Sequence, residues 1–86
     1  MVWVIEYTAT AEKQLRKLDR QIARRILDYL DERIAPLEDP RTRGRALSGP
    51  LGELWRYRIG DYRVICAVLD DRMLILVLEV GHRGSV

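Results

Sequence analysis

The sequence has 86 residues, enough for one hydrophobic core and too few for two, and its 48% hydrophobic and 33% charged residues are typical of a folded globular protein. We therefore expect a single domain over residues 1–86. No apolar run is longer than the six residues of 73–78, whereas a membrane-spanning helix needs about 20, and no segment near the start resembles a signal peptide. With one cysteine, Cys66, and one histidine, His82, an internal disulfide bond is excluded and a structural zinc site is not expected.

Basic residues are concentrated in the middle of the chain. Thirteen of the 15 basic residues are arginines, and residues 41–63 carry six arginines against two acidic residues, whereas each flanking part has a slight acidic excess. Arginine presents a planar fork of donors that binds phosphate and carboxylate groups in a bidentate manner. The net charge of only +2 therefore conceals a basic patch, which predicts a polyanionic partner.

The first half of the chain predicts a strand followed by two helices. Residues 2–7 are mostly β-branched and aromatic, which is typical of a strand. Apolar residues then recur every three or four positions, the period of an amphipathic helix. Asp19 is suited to capping a second helix, so we predict a helical hairpin over about 10–18 and 20–34 rather than one long helix.

The second half predicts a loop and three strands. The strands are expected over residues 53–59, 62–69 and 72–80. The pairs Gly60-Asp61 and Asp70-Asp71 are predicted as two-residue hairpin turns, which would give an antiparallel meander. Together these elements predict an α+β fold, in which a small antiparallel sheet has both helices packed on one face.

The predicted register brings arginines together. Alternation places Arg56 and Arg58 on one sheet face, and the turn at Gly60 places Arg58 directly opposite Arg63. Opposed like charges destabilise a sheet by about 0.2–1 kcal/mol. A bound anion would replace this repulsion with charge-assisted hydrogen bonds. We favour that interpretation over solvated surface arginines and over pairing with Glu79, Asp61 or Glu53. The same register places Glu79 on the other face.

Several further residues are candidates with two open interpretations. The predicted register puts His82 on the arginine face. Because histidine is the side chain that exchanges protons most readily near neutral pH, His82 is either a proton-transfer group or an ordinary surface residue. The loop before the strands carries three alternating arginines, Arg41, Arg43 and Arg45. They would either bind along a phosphate backbone or be solvated by water. Cys66 is expected to be a buried, inert thiol.

Residues 54–65 (LWRYRIGDYRVI), with 47–51 (LSGPL), 80–83 (VGHR) and the opening helical hairpin, resemble the RelE branch of the RelE/ParE superfamily of toxins from type II toxin–antitoxin systems. The resemblance extends over nearly the whole chain. It implies the fold predicted above, a small antiparallel sheet with two helices on one face. It also implies a cytoplasmic protein with a cognate antitoxin, in a hetero-oligomer.

The resemblance further implies an mRNA interferase that cuts messenger RNA in the ribosomal A site, without a metal or cofactor, using the ribose 2′-OH as nucleophile. Arg58, Arg63 and Arg83 would hold the scissile phosphate, and Arg56 would orient the nucleotide or the phosphate. His82 would be the group that transfers protons.

Two alternatives remain at this stage. One is a ParE-like toxin that is not a nuclease and inhibits DNA gyrase, because the same fold serves both activities. The other is a non-catalytic RNA-binding module.

Overall fold

The computed structural model describes residues 2–47 and 54–82. In chain order the strands and α-helices are β1 (Val4–Tyr7), α1 (Ala9–Arg16), α2 (Arg20–Tyr29), β2 (Arg45–Ala46), β3 (Leu54–Ile59), β4 (Tyr62–Leu69) and β5 (Leu74–His82). A π-helical segment, Leu30–Ile34, continues α2, and short 3-10 turns occupy Pro40–Thr42 and Asp70–Arg72. No helix in the described ranges is long and apolar enough to cross a membrane.

The predicted helical hairpin is confirmed, and side-chain caps define where each helix begins. The Thr8 hydroxyl accepts a hydrogen bond from the Ala11 amide at 3.1 Å at the start of α1. The Asp19 carboxylate accepts one from the Gln21 amide at 3.0 Å at the start of α2. These caps satisfy amide groups that the first turn of a helix leaves without intrahelical partners. The chain therefore turns between the helices at Asp19, as expected.

The α+β fold is also confirmed, with a mixed rather than an entirely antiparallel sheet. The five strands lie in the order β1-β5-β4-β3-β2. β3, β4 and β5 form the predicted antiparallel meander, whereas β1 pairs with β5 in parallel, with Val4 opposite Leu74. β2 lies within the predicted loop and pairs antiparallel with β3. The partner of β1 lies 70 positions away in sequence, so the local pattern does not determine its direction.

The predicted two-residue turn at Asp70-Asp71 is wrong. The chain forms a 3-10 turn over Asp70–Arg72, followed by Met73 in the left-handed conformation with φ 49°. Leu69 therefore pairs with Leu74 across a four-residue connection. Tight two-residue hairpins favour glycine or asparagine, which Asp70-Asp71 lacks. A β-bulge opposite Ile65 and Cys66 shifts the register of β5 again.

The hydrophobic core lies between the two helices and one face of the sheet. Tyr57, Val64, Cys66, Ile75 and Val77 of the sheet are fully buried there. α1 and α2 contribute residues to the same core cluster, so both helices pack on this face, as predicted. The helical residues of the core are Ala11, Leu15, Ile26, Leu30 and Ile34.

Candidate functional site

Four arginines from three neighbouring strands form what we call the arginine cluster: Arg45, Arg56, Arg58 and Arg63. Arg58 pairs directly with Arg63, as predicted, and Arg45 pairs with Arg56. Burial and the nearby charges of Arg58, Arg63 and Arg45 lower the pKa of Arg56 below its usual value. Arg56 therefore lies in the positive field of the other three guanidinium groups.

The cluster borders a groove of about 430 Å³ at the β2 edge of the sheet, lined by Tyr29, Gly44, Arg45, Arg56 and Arg58. In the described part of the chain, no ion pair is formed by Arg45, Arg56 or Arg58. Because these guanidinium groups repel one another and have no carboxylate partner there, an anion entering the groove gains several charge-assisted hydrogen bonds. The arrangement is suited to binding phosphate groups.

The segment before β2 is fixed to β3 by close backbone and side-chain contacts. Gly44 has φ +78°, and a Cβ at this position would lie 2.4 Å from the carbonyl oxygen of Arg56. The Trp55 indole donates a hydrogen bond to the Arg43 carbonyl at 2.6 Å. The buried Tyr57 hydroxyl donates to the Pro40 carbonyl at 2.8 Å. These contacts place the following residue, Arg45, opposite Arg56.

Of the three loop arginines predicted as substrate-binding residues, only Arg45 joins the cluster. Arg41 binds the carboxylate of Asp70 through two nitrogens, at 3.0 and 2.7 Å, at the end of β4 away from Arg63. This interaction raises the pKa of Arg41 and lowers that of Asp70. The Arg43 side chain is exposed, and its carbonyl receives the Trp55 hydrogen bond.

The predicted positions of His82 and Glu79 relative to the sheet are wrong, because the bulge adds one residue to β5 and reverses the faces of the residues that follow it. His82 pairs with Tyr62 on the helix-packed side, and the two rings meet edge to face with centroids 5.5 Å apart. Arg63 pairs with Gly81. Glu79 is exposed and pairs with Ile65, which places its carboxylate on the arginine face. Arg83 lies outside the described residues.

Sequence reasoning missed two residues of the groove. Tyr29 lies in the predicted second helix and Gly44 in the predicted loop, and neither was assigned a role from the sequence. The position of Gly44 directly before Arg45 was the signal in the sequence that could have placed this glycine at the groove. The sequence contains no comparable signal for Tyr29, because the groove joins residues from α2 and β3 that are far apart in the chain.

Comparisons with known proteins agree with this architecture. The family model described as "ParE toxin of type II toxin-antitoxin system, parDE" matches residues 5–86. Toxin RelE of Mycobacterium tuberculosis is 29% identical over 82 residues, covering 94% of this chain and 81% of the relative. The mRNA interferase toxin RelE of Escherichia coli is 29% identical over 84 residues, covering 96% and 85%.

Two solved structures are similar over nearly the entire chain. The M. tuberculosis toxin–antitoxin complex RelBE2 contains a chain with a TM-score of 0.86 and 24% identity, covering 99% of this chain and 95% of that one. The archaeal RelE–RelB complex of Pyrococcus horikoshii OT3 gives a TM-score of 0.71 and 30% identity, covering 100% of both chains.

Proposed function

The chain belongs to the RelE/ParE superfamily of type II toxin–antitoxin toxins, and on this premise we propose that it is a metal-independent endoribonuclease that cuts messenger RNA in the ribosomal A site. The observation that carries the proposal is the arginine cluster. It offers four guanidinium groups on adjacent strands. Charge of this kind, already in position, stabilises the negative charge that develops on a phosphate during cleavage.

The proposed reaction needs only groups that RNA and the protein supply. The ribose 2′-oxygen attacks the adjacent phosphorus and loses its proton, while the bond from phosphorus to the 5′-oxygen breaks and that oxygen gains a proton. Arg58 and Arg63, directly opposed across β3 and β4, would hold the non-bridging oxygens of the scissile phosphate. Arg45 and Arg56 would orient the nucleotide next to it.

Arginine is a poor general base because its guanidinium keeps its proton far above neutral pH. Proton transfer therefore needs another group, and His82 stays a prediction for that role, as Arg83 does for phosphate binding. The His82 ring lies against Tyr62 on the helix-packed side, so this role is separate from the charge stabilisation that supports the main proposal. A His82→Ala variant that binds RNA normally but does not cut it would support the histidine prediction.

We further propose a cognate antitoxin as the partner that controls this activity. The solved structures that this chain resembles include RelBE complexes of toxin with antitoxin. An acidic segment of the antitoxin would complement the arginine cluster and cover the groove. Toxin and antitoxin would then form a hetero-oligomer in which the phosphate-binding groups are blocked.

Primer extension on messenger RNA held in programmed ribosomes tests the nuclease proposal. The protein should produce discrete A-site cuts, and Arg58→Ala and Arg63→Ala should each reduce the cleavage rate by about 100-fold or more, the usual loss for one transition-state donor. Arg72→Ala is the matched control, because Arg72 is an exposed arginine in the 3-10 turn after β4, remote from the cluster. If the unmodified protein leaves ribosome-bound messenger intact, the proposal is refuted.

The matching family model is that of the ParE toxins, so inhibition of DNA gyrase is the second candidate function. Under this alternative, the protein inhibits supercoiling by purified gyrase and does not cut messenger RNA. Arg58→Ala and Arg63→Ala would then leave the inhibition largely intact. The same three protein samples therefore separate the two candidates when they are assayed on ribosomes and on gyrase.

A further inference from the structure

The groove beside the arginine cluster contains one aromatic side chain, Tyr29, among the residues that the structure describes. Its other lining residues are three arginines and a glycine. Tyr29 is half-buried and is the last residue of α2. Tyr29 packs against the hydrophobic core and also lines the groove. An aromatic surface therefore lies next to the proposed phosphate-binding groups.

Tyr29 lies at the junction between α2 and a π-helical turn. After Tyr29 the helix widens into a π-helical turn, in which the Ala35 amide bonds to the Leu30 carbonyl at 2.9 Å. Leu30 and Ile34 remain fully buried in the core. Tyr29 precedes Leu30 by one residue, about 100° around the helix, and so is directed away from the centre of the core. Such π-helical turns occur frequently at functional sites.

Guanidinium groups bind phosphates but by themselves do not hold a base. Proteins that bind single-stranded RNA commonly let unstacked bases stack on aromatic side chains beside the backbone-binding groups. Tyr29 next to Arg56 and Arg58 repeats this pairing of an aromatic surface with phosphate-binding groups. We propose that Tyr29 is a nucleotide-contact residue, whose ring stacks on the base of a nucleotide held by the arginine cluster. The inference rests on the proposed function, because it takes RNA as the ligand.

Three substitutions separate stacking from packing. Tyr29→Phe keeps the ring and should bind RNA as the unmodified protein does. Tyr29→Leu keeps apolar bulk against the core but removes the π-face, and should weaken RNA binding by about 5- to 100-fold, the usual range for one stacked base. Arg58→Ala reports on the phosphate contact alone. Thermal unfolding of each variant shows whether the fold is kept.

The probe is a short single-stranded oligoribonucleotide that carries the fluorescent base 2-aminopurine at one position. The sugars at this nucleotide and its two neighbours lack the 2′-hydroxyl, which prevents cleavage there. We expect stacking on Tyr29 to quench the 2-aminopurine fluorescence. The Tyr29→Phe variant should quench it equally, and the Tyr29→Leu variant should quench it less. An abasic nucleotide at the same position should weaken binding to the unmodified protein and to Tyr29→Phe. It should have little further effect on Tyr29→Leu, since the ring and the base act as one pair.

Equal quenching and equal affinity for Tyr29→Leu and the unmodified protein, or an abasic effect that persists in Tyr29→Leu, would overturn the inference. Failure of the proposed function would look different. In that case the oligonucleotide would still bind with Tyr29-dependent quenching, while ribosome-bound messenger would stay uncut. Absence of any RNA binding by the unmodified protein would also overturn the inference, while the cleavage of ribosome-bound messenger decides the proposed function separately.

Discussion

Replacing Gly44 by alanine should separate Arg45 from the rest of the arginine cluster. The added Cβ would lie 2.4 Å from the Arg56 carbonyl oxygen and 2.7 Å from the Trp55 indole nitrogen. The carbonyl belongs to the backbone of a paired strand and is unable to rotate away. The chain before β2 must therefore move away from β3, and Arg45 moves with it.

The expected loss of stability has two parts. Gly44 has φ +78°, where an alanine is strained by about 1–2 kcal/mol. Moving the segment also breaks the hydrogen bond from Trp55 to Arg43, which contributes about 0.5–1.5 kcal/mol. We expect Gly44→Ala to lower the free energy of unfolding by about 1.5–3.5 kcal/mol, and the melting temperature by about 6 °C or more. A domain of ordinary stability would survive this loss.

Gly60→Ala is the matched control. Gly60 also has a positive φ, +59°, but the nearest atom to an added Cβ is the Arg25 guanidinium nitrogen at 3.1 Å, the mobile end of a long side chain. The free energy of unfolding of this variant should fall only by the cost of the backbone strain. Urea unfolding gives the stability of both variants, and titration with single-stranded RNA gives their affinity. Gly44→Ala should weaken RNA binding as much as Arg45→Ala does. If Gly44→Ala is no less stable than Gly60→Ala and binds RNA normally, the proposal that Gly44 positions Arg45 is wrong.

Two further predictions concern the dependence of stability on pH. Arg41 lowers the pKa of Asp70, so their contact stabilises the fold at pH values above about 4, the pKa of an aspartate in the unfolded chain, and this stabilisation is lost as the pH falls further. Asp70→Asn should therefore be less stable than the unmodified protein at pH 7. Urea unfolding in acid should show that the two proteins become equally stable. Burial raises the pKa of the Cys66 thiol to about 12. The unfolded thiol ionises from about pH 8.5, so stability should fall as the pH rises from about 9 to 12, and Cys66→Ala should show a shallower fall. A native thiol that reacts with Ellman's reagent at its ordinary rate would contradict the second prediction.

Local signals in the sequence were sufficient for the helical hairpin and for the centre of the arginine cluster. Asp19 caps α2 through an amide two residues away, so the break between the helices depends on neighbouring residues alone. The pairing of Arg58 with Arg63 likewise follows from the short turn at Gly60 and from the alternation of side chains along a strand.

The remaining features depended on contacts between distant parts of the chain. The bulge in β5 determines on which face His82 and Glu79 lie, and neither this bulge nor the parallel pairing of β1 has a local signal. The groove itself joins Tyr29 of α2 to Arg45 and Arg56 of the sheet edge. The sequence by itself determined the helices, the first hairpin and the opposed arginines, because hydrogen bonds and side-chain alternation act over a few residues. Tertiary packing decided which other side chains reach the cluster, since that depends on how the elements fit together around one core.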